Sequence, residues 1–260
     1  MIIENEEDKK QLRAAGNILS GVLKDLEAAC KEGITTAELD LMAEHAVKAR
    51  GAVAVFLGYR PEGAPSAYPA ALCVSINDEV VHGIPSSARI LRSGDIVSLD
   101  LGLSYNGYFV DSARTLIVGE GLPAQAGDAS ARKLLAATRE ALDTAVAAAH
   151  AGAHVGDIGA AVERVARKYK LGVVKDLGGH AVGRAVHEKP FIANEGKEGA
   201  GEVIPAGMVL AIEPMLCEGK GDIVTAADGW TCKMRDRSRA AHFEQTVIVG
   251  EGAPEILTAL

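Results

Sequence analysis

Gly94-Asp95-Ile96-Val97-Ser98-Leu99-Asp100 runs from a glycine through an apolar, β-branched stretch to a carboxylate, and Gly207-Met208-Val209-Leu210-Ala211-Ile212-Glu213 repeats the form. Both read as buried strands ending in an acid. The same prelude stands before each. Over residues 9–32, Leu12, Ala15, Ile18, Leu19, Val22, Leu23 and Leu26 recur at three- and four-residue steps, the spacing of one helix face. Gly33 stops that helix, Thr35-Thr36-Ala37-Glu38 has the form of a capping box, and residues 39–49 read as a second helix ending near Gly51. Residues 134–150, Gly152 and residues 158–169 before Gly172 repeat the order. A shift of 119 positions places Leu23 on Leu142, Gly33 on Gly152 and Glu44 on Glu163, whereas the two strands are offset by 113, a drift in loop length.

Residues 71–76, 107–118 and 241–249 are further strand candidates. Helix pairs and antiparallel strands in separate runs predict an α+β fold. Residues 60–69, with three prolines, read as a surface loop and residues 119–127 as a linker. The chain is expected to form one domain over 1–260 from two pseudo-repeat halves, about 1–118 and 128–260, that share a core.

Composition excludes several classes. With 48% hydrophobic residues the 260-residue chain has enough apolar material for a packed core, and its net charge of −8 lacks the cationic surface of a non-specific nucleic-acid binder. The opening MIIENEEDKK is acidic, and no apolar run reaches the roughly 18–20 residues of a membrane span, so neither a signal peptide nor a membrane partner is expected. Cys30, Cys73, Cys217 and Cys232 show no CxxC spacing and read as buried thiols in a reducing cytoplasm. The lysine and Ser/Thr of a phosphate loop, the HExxH zinc helix and the GxSxG elbow are all missing.

The acids in the strands carry the chemistry. Asp100, Glu213 and Glu244 end or interrupt apolar strands, and Asp111 sits between Tyr108-Phe109-Val110 and Ser112-Ala113. Any one of them could reach solvent or pair with an arginine such as Arg114. Four converging together would repel one another and demand a cation or shared protons. A dinuclear metal site has this composition, with an imidazole completing one shell. The candidate imidazole is His180, in Gly178-Gly179-His180-Ala181-Val182-Gly183, where glycines permit close backbone approach; His187 follows seven residues later.

In order along the chain, His82-Gly83-Ile84-Pro85, Asp100, Asp111, Gly179-His180, His187-Glu188-Lys189-Pro190, Ile212-Glu213-Pro214-Met215 and Phe243-Glu244-Gln245-Thr246 resemble a type I methionine aminopeptidase over nearly the whole chain. The resemblance implies the pita-bread fold, two pseudo-symmetric halves around an antiparallel sheet with helices outside and two metals between them. Neither the zinc-binding N-terminal extension nor the helical insertion of other relatives is expected, which makes a short bacterial-type form the nearest likeness.

Carried across by that resemblance, Asp100 is a terminal ligand of one metal, His180 and Glu213 hold the other, and Asp111 and Glu244 bridge. One nitrogen among oxygens suits Mn, Fe or Co better than a thiolate-rich zinc site, with Zn kept among the candidates. Glu213 is implied to take a proton from water activated between the metals and pass it to the departing amine. His187 is implied to stabilise the developing oxyanion and His82 to bond the scissile amide or leaving amine; an outer structural role explains either histidine nearly as well. The implied substrates are N-terminal peptides of newly made proteins, with the ribosome a candidate partner and a monomer the expected state.

By the same resemblance Tyr59, Tyr68, Cys73 and Trp230 line the pocket for the first side chain. The loop between Tyr59 and Tyr68 is longer than in relatives, and Val186 stands where they usually carry phenylalanine. The pocket is therefore expected to be modestly remodelled while accepting methionine. Another pita-bread aminopeptidase with altered N-terminal specificity, or a non-catalytic binding protein of this fold, is the alternative. The latter should have lost ligands, and the full set is present. His45, His150, His154 and His242 match no motif of the family and are expected on helix or loop surfaces.

Overall fold

In a computed structural model, which describes residues 1–64, 66–119 and 128–259, helix α1 (Glu6–Ala29) starts where Asn5 accepts the Asp8 N–H. It buries Leu12, Ala15, Leu19, Val22, Leu23 and Leu26 along one stripe, as the spacing predicts. Gly33 turns the chain at φ +93°, and α2 (Thr36–Ala49) opens with the reciprocal Thr35–Glu38 capping box. The second pair is α3 (Ala129–Ala148) and α4 (Val155–Tyr169). The predicted linker lies, from residue 120 on, outside the described residues. No helix among the described residues is long and apolar enough to cross a membrane.

The strands are β1 (Val53–Ala54), β2 (Cys73–Ile76), β3 (Glu79–Val81), β4 (Ile96–Tyr105), β5 (Tyr108–Ile117), β6 (Gly172–Val173), β7 (Gly178–Ala181) and β8 (Glu188–Ala193). They continue as β9 (Val209–Ile212), β10 (Met215–Cys217), β11 (Ile223–Thr225), β12 (Cys232–Met234), β13 (Ala240–His242), β14 (Gln245–Ile248) and β15 (Glu255–Ile256). All pair antiparallel. In one sheet β4 carries β1 and β2 on one edge and β5 on the other, and in a second the order is β15-β14-β9-β7-β8. The strand predicted over residues 241–249 is two strands, interrupted at Phe243-Glu244.

Side-chain parity separates core from site. Along β4, Val97, Leu99, Leu101 and Leu103 join the cluster under α1 and α2, so Ser98, Asp100 and Gly102 face the other way. In β9, Leu210 and Ile212 pack with α3 and α4, whereas Val209 and Ala211 join the α1 and α2 cluster. Both faces of that strand are buried, which is why it reads as an unbroken apolar run. The sheets meet along β5 and β14. The Asp111 N–H donates to Thr246 Oγ1 at 3.0 Å, the Thr246 hydroxyl returns to the Asp111 carbonyl at 2.7 Å, and the Glu244 N–H donates to the Ala113 carbonyl at 3.0 Å.

Candidate metal centre

Register brings the acids together. Asp100 stands opposite Ala113 and Asp111 opposite Gly102 in the β4–β5 ladder, so the two aspartates are diagonal neighbours on one face. Glu213 follows the last residue of β9 and Glu244 precedes the first of β14, and Ile212 pairs with Gln245, so both glutamates leave their strands at the same end. His180 lies opposite Ala211 in β7. Gly179 is needed beside it, since a Cβ there would meet the Ala211 carbonyl oxygen at 2.3 Å.

Ligand-type atoms of Asp100, Asp111 and Glu244 lie within 4.8 Å of one another, as do those of His180, Glu213 and Glu244, and those of Asp111, His180 and His187. All five expected ligands therefore converge. Arg114 does not neutralise them. Three residues from Asp111 on the same strand, it faces the opposite side and pairs with Glu27 of α1 at 2.7 Å. Burial pushes the Asp100 carboxyl up to about 7, and burial together with the neighbouring carboxylates raises Asp111 and Glu244 well above the usual range. Burial raises Glu213 likewise.

Asp100 Oδ1 and Glu244 Oε1 are buried without a hydrogen-bond partner. Orphaned carboxylate oxygens facing one another cost free energy unless a cation stands between them. His180 fits the same purpose. Its Nδ1 lies 3.0 Å from the Ala181 carbonyl, an acceptor only, so the ring proton sits on Nδ1 and the Nε2 lone pair faces the acids. Burial pushes this imidazole down to about 3, which keeps it neutral and able to ligate. The donor set fits two divalent ions.

Around the acids is a cavity of about 290 Å³, small for a ligand site and walled by Phe56, Tyr59, Tyr68, Cys73 and Trp230. Every expected pocket residue lies in it. Tyr68, which sequence reading put in a surface loop, is 3% exposed and bonds the Gly83 carbonyl at 3.1 Å. Cys73 lies across the β2–β4 ladder from Asp100, and burial raises its thiol. The four cysteines are free and buried, as expected. Val186 packs in the same aromatic cluster. Tyr59 Oη lies 2.8 Å from His187 Nδ1, and the His187 and His180 rings are 4.4 Å apart. His82 is held at φ +58°, beside Gly83, whose Cβ would meet the Val74 carbonyl oxygen at 2.3 Å.

Two residues escaped sequence reading. Phe56 needs the space left by Gly102, where a Cβ would come within 2.7 Å of the ring; an isolated glycine inside a strand was the available signal. His242 corrects an expectation. It is not on a surface but 1% exposed on β13, with Nε2 3.2 Å from Glu213 Oε2 and neither ring nitrogen hydrogen-bonded. A polar residue in an apolar strand was the signal. His45 and His150 are exposed, as expected, whereas His154 sits half-buried at the N-cap of α4.

Residues 10–251 match metallopeptidase family M24. The methionine aminopeptidase of Aquifex aeolicus is 44% identical over 259 residues, covering 98% of each chain. The crystal structure of methionine aminopeptidase from Thermotoga maritima superposes with a TM-score of 0.92 at 36% identity, and that from Rickettsia prowazekii with 0.91 at 33%, each covering both chains in full. The α+β architecture is the pita-bread fold of these enzymes. The chain belongs to metallopeptidase family M24 and, within it, to the methionine aminopeptidases.

Proposed function

We propose that this protein removes the N-terminal methionine from peptides and newly made proteins, by hydrolysis of the first peptide bond at a dinuclear metal centre. The observation that carries this is the convergence of Asp100, Asp111, His180, Glu213 and Glu244 at the floor of an aromatic-walled pocket. Asp100 and Asp111 come from one half of the chain and His180, Glu213 and Glu244 from the other, so both halves make one catalytic unit. Asp100 would hold one ion and His180 with Glu213 the other, with Asp111 and Glu244 placed among both groups of ligands. Divalent cations held there would supply Lewis acidity, polarising the carbonyl and letting a water give up its proton near neutral pH.

The remaining steps belong to side chains. Phe56, Tyr59, Tyr68 and Trp230 wall the cavity that takes the first side chain and exclude water from it. A Glu213 carboxylate oxygen takes the proton from the attacking water and delivers it to the departing amine. Tyr59 Oη lies 2.8 Å from His187 Nδ1 and orients the ring, which leaves Nε2 as the nitrogen that bonds the developing oxyanion. His82, pushed down to about 4 by burial, stays neutral and bonds the scissile amide or leaving amine. Four free thiols support a reducing, cytoplasmic setting. The test is turnover on peptides that differ in their first residue, after chelation and addition of Mn, Fe, Co or Zn. Met-Ala and Met-Gly should be cleaved only with metal and only with a free amino group; cleavage of other first residues but not methionine would refute the assignment.

A further inference from the structure

The cavity continues past the acids. A second lobe of about 430 Å³ shares Val81, His82, His180, His187 and Glu213 with the aromatic one. Leu177 and Met215 line it together with the exposed Asp176 and Lys189, and Phe191 of β8 forms part of its wall. Phe191 is 55% exposed, the one aromatic among the exposed large hydrophobic residues described. A ring left half in water beside a site invites a purpose.

Register explains where it points. Phe191 is the direct partner of His180 across the β7–β8 ladder, and directly opposed residues of an antiparallel pair present their side chains to the same face. The ring therefore shares the face of a metal-site histidine, one strand further out. It lies against Gly178, where a Cβ would meet Phe191 Cζ at 3.0 Å and the Ile192 carbonyl oxygen at 2.3 Å. The glycine lets the ring rest on backbone, so the surface is formed before anything binds.

The occupant follows from the aminopeptidase reading, on which this inference rests. With the first side chain in the aromatic lobe and the first peptide bond at the acids, the rest of the peptide leaves through the second lobe. An extended chain advances about 3.4 Å per residue and neighbouring strands stand about 4.8 Å apart. The second residue therefore does not clear His180, and the third is the first to lie across the ring. We propose that Phe191 forms a subsite for the side chain of the third residue of the substrate and selects an apolar one there.

The test compares kcat/KM for Met-Ala-Leu-amide and Met-Ala-Ser-amide in the metal-loaded wild type, Phe191→Ala and Phe191→Leu. The ratio of the two cancels the amount of active enzyme, so partial misfolding of a variant does not blur it. The wild type should favour leucine by about tenfold, Phe191→Ala should bring the ratio close to one, and Phe191→Leu should keep most of the preference. A wild-type ratio near one, or a preference that survives in Phe191→Ala, overturns the subsite while leaving methionine removal intact. Failure of the wild type to cleave any methionyl peptide overturns the aminopeptidase reading and the subsite with it.

Discussion

His242 Nε2 lies 3.2 Å from Glu213 Oε2, in a strand where the imidazole is 1% exposed. Glu213 is thereby flanked by two imidazoles, His180 on Oε1 at 3.7 Å and His242 on Oε2. Outer partners that orient a ligating carboxylate typically contribute 10–100-fold in metal affinity or activity. His242→Ala should lower kcat/KM on Met-Ala by about that factor, and His242→Gln, which keeps a polar side chain beside Glu213, should recover part of it. Steady-state kinetics at saturating metal decide it; wild-type turnover in His242→Ala would remove this histidine from the site.

Gly179 sets how closely β7 approaches β9. Alanine there brings its Cβ to 2.3 Å from the Ala211 carbonyl oxygen, a backbone atom that moves only with its strand. Gly179→Ala should destabilise the fold by about 1–3 kcal/mol. At this chain length that is a loss of about 2–4 °C in Tm per kcal/mol, readable by thermal unfolding without metal.

Val186 packs behind the pocket wall, in one buried cluster with Phe56, Tyr68, Cys73 and Trp230. A phenyl ring in its place would extend that wall toward the first side chain. Val186→Phe should sharpen preference for methionine over other apolar first residues by about tenfold, within the range a pocket contact supplies. Unchanged relative kcat/KM across a first-residue panel would place Val186 outside the specificity determinants.

Away from the site, Asp8 ties helix α1 to the loop before His187. It is 1% exposed, and its carboxylate accepts the Glu4 N–H at 3.0 Å, the Tyr108 hydroxyl at 2.7 Å and Arg184 at 2.8 Å. The Glu4 N–H first, then Tyr108, hold this carboxyl below its usual value. A depressed carboxylate stabilises the fold above its unfolded pKa, near 3.9, and that contribution fades as pH falls through the lower folded value. Asp8→Asn should cost about 2–6 °C in Tm at pH 7, and the gap from wild type should narrow below pH 4. A gap independent of pH would assign the effect to packing.

The helices were legible because their apolar stripes, the Thr35–Glu38 box and Gly33 are local signals. The acids were legible because charge in an apolar strand conflicts with burial unless something compensates it. What sequence hid was non-local. The partner of Arg114 depends on strand parity and on Glu27, 87 positions away. Tyr68 is buried among Phe56, Cys73, Val186 and Trp230 and bonds the Gly83 carbonyl, contacts its proline-rich neighbours do not encode. The break at Phe243-Glu244 arises where β13 and β14 pair with different strands, β10 and β9, which no periodicity within residues 241–249 encodes.

Two-metal chemistry is tested most directly by calorimetric titration of Mn(II) or Co(II) into chelator-treated protein, with Met-Ala turnover followed in parallel, for wild type and Asp111→Asn. Asp111 lies in two of the three ligand groups. The wild type should be inactive when stripped, take up two equivalents and regain turnover as they bind, whereas Asp111→Asn should lose tight binding and turnover together. Full activity in stripped protein, or in Asp111→Asn, would contradict a dinuclear centre.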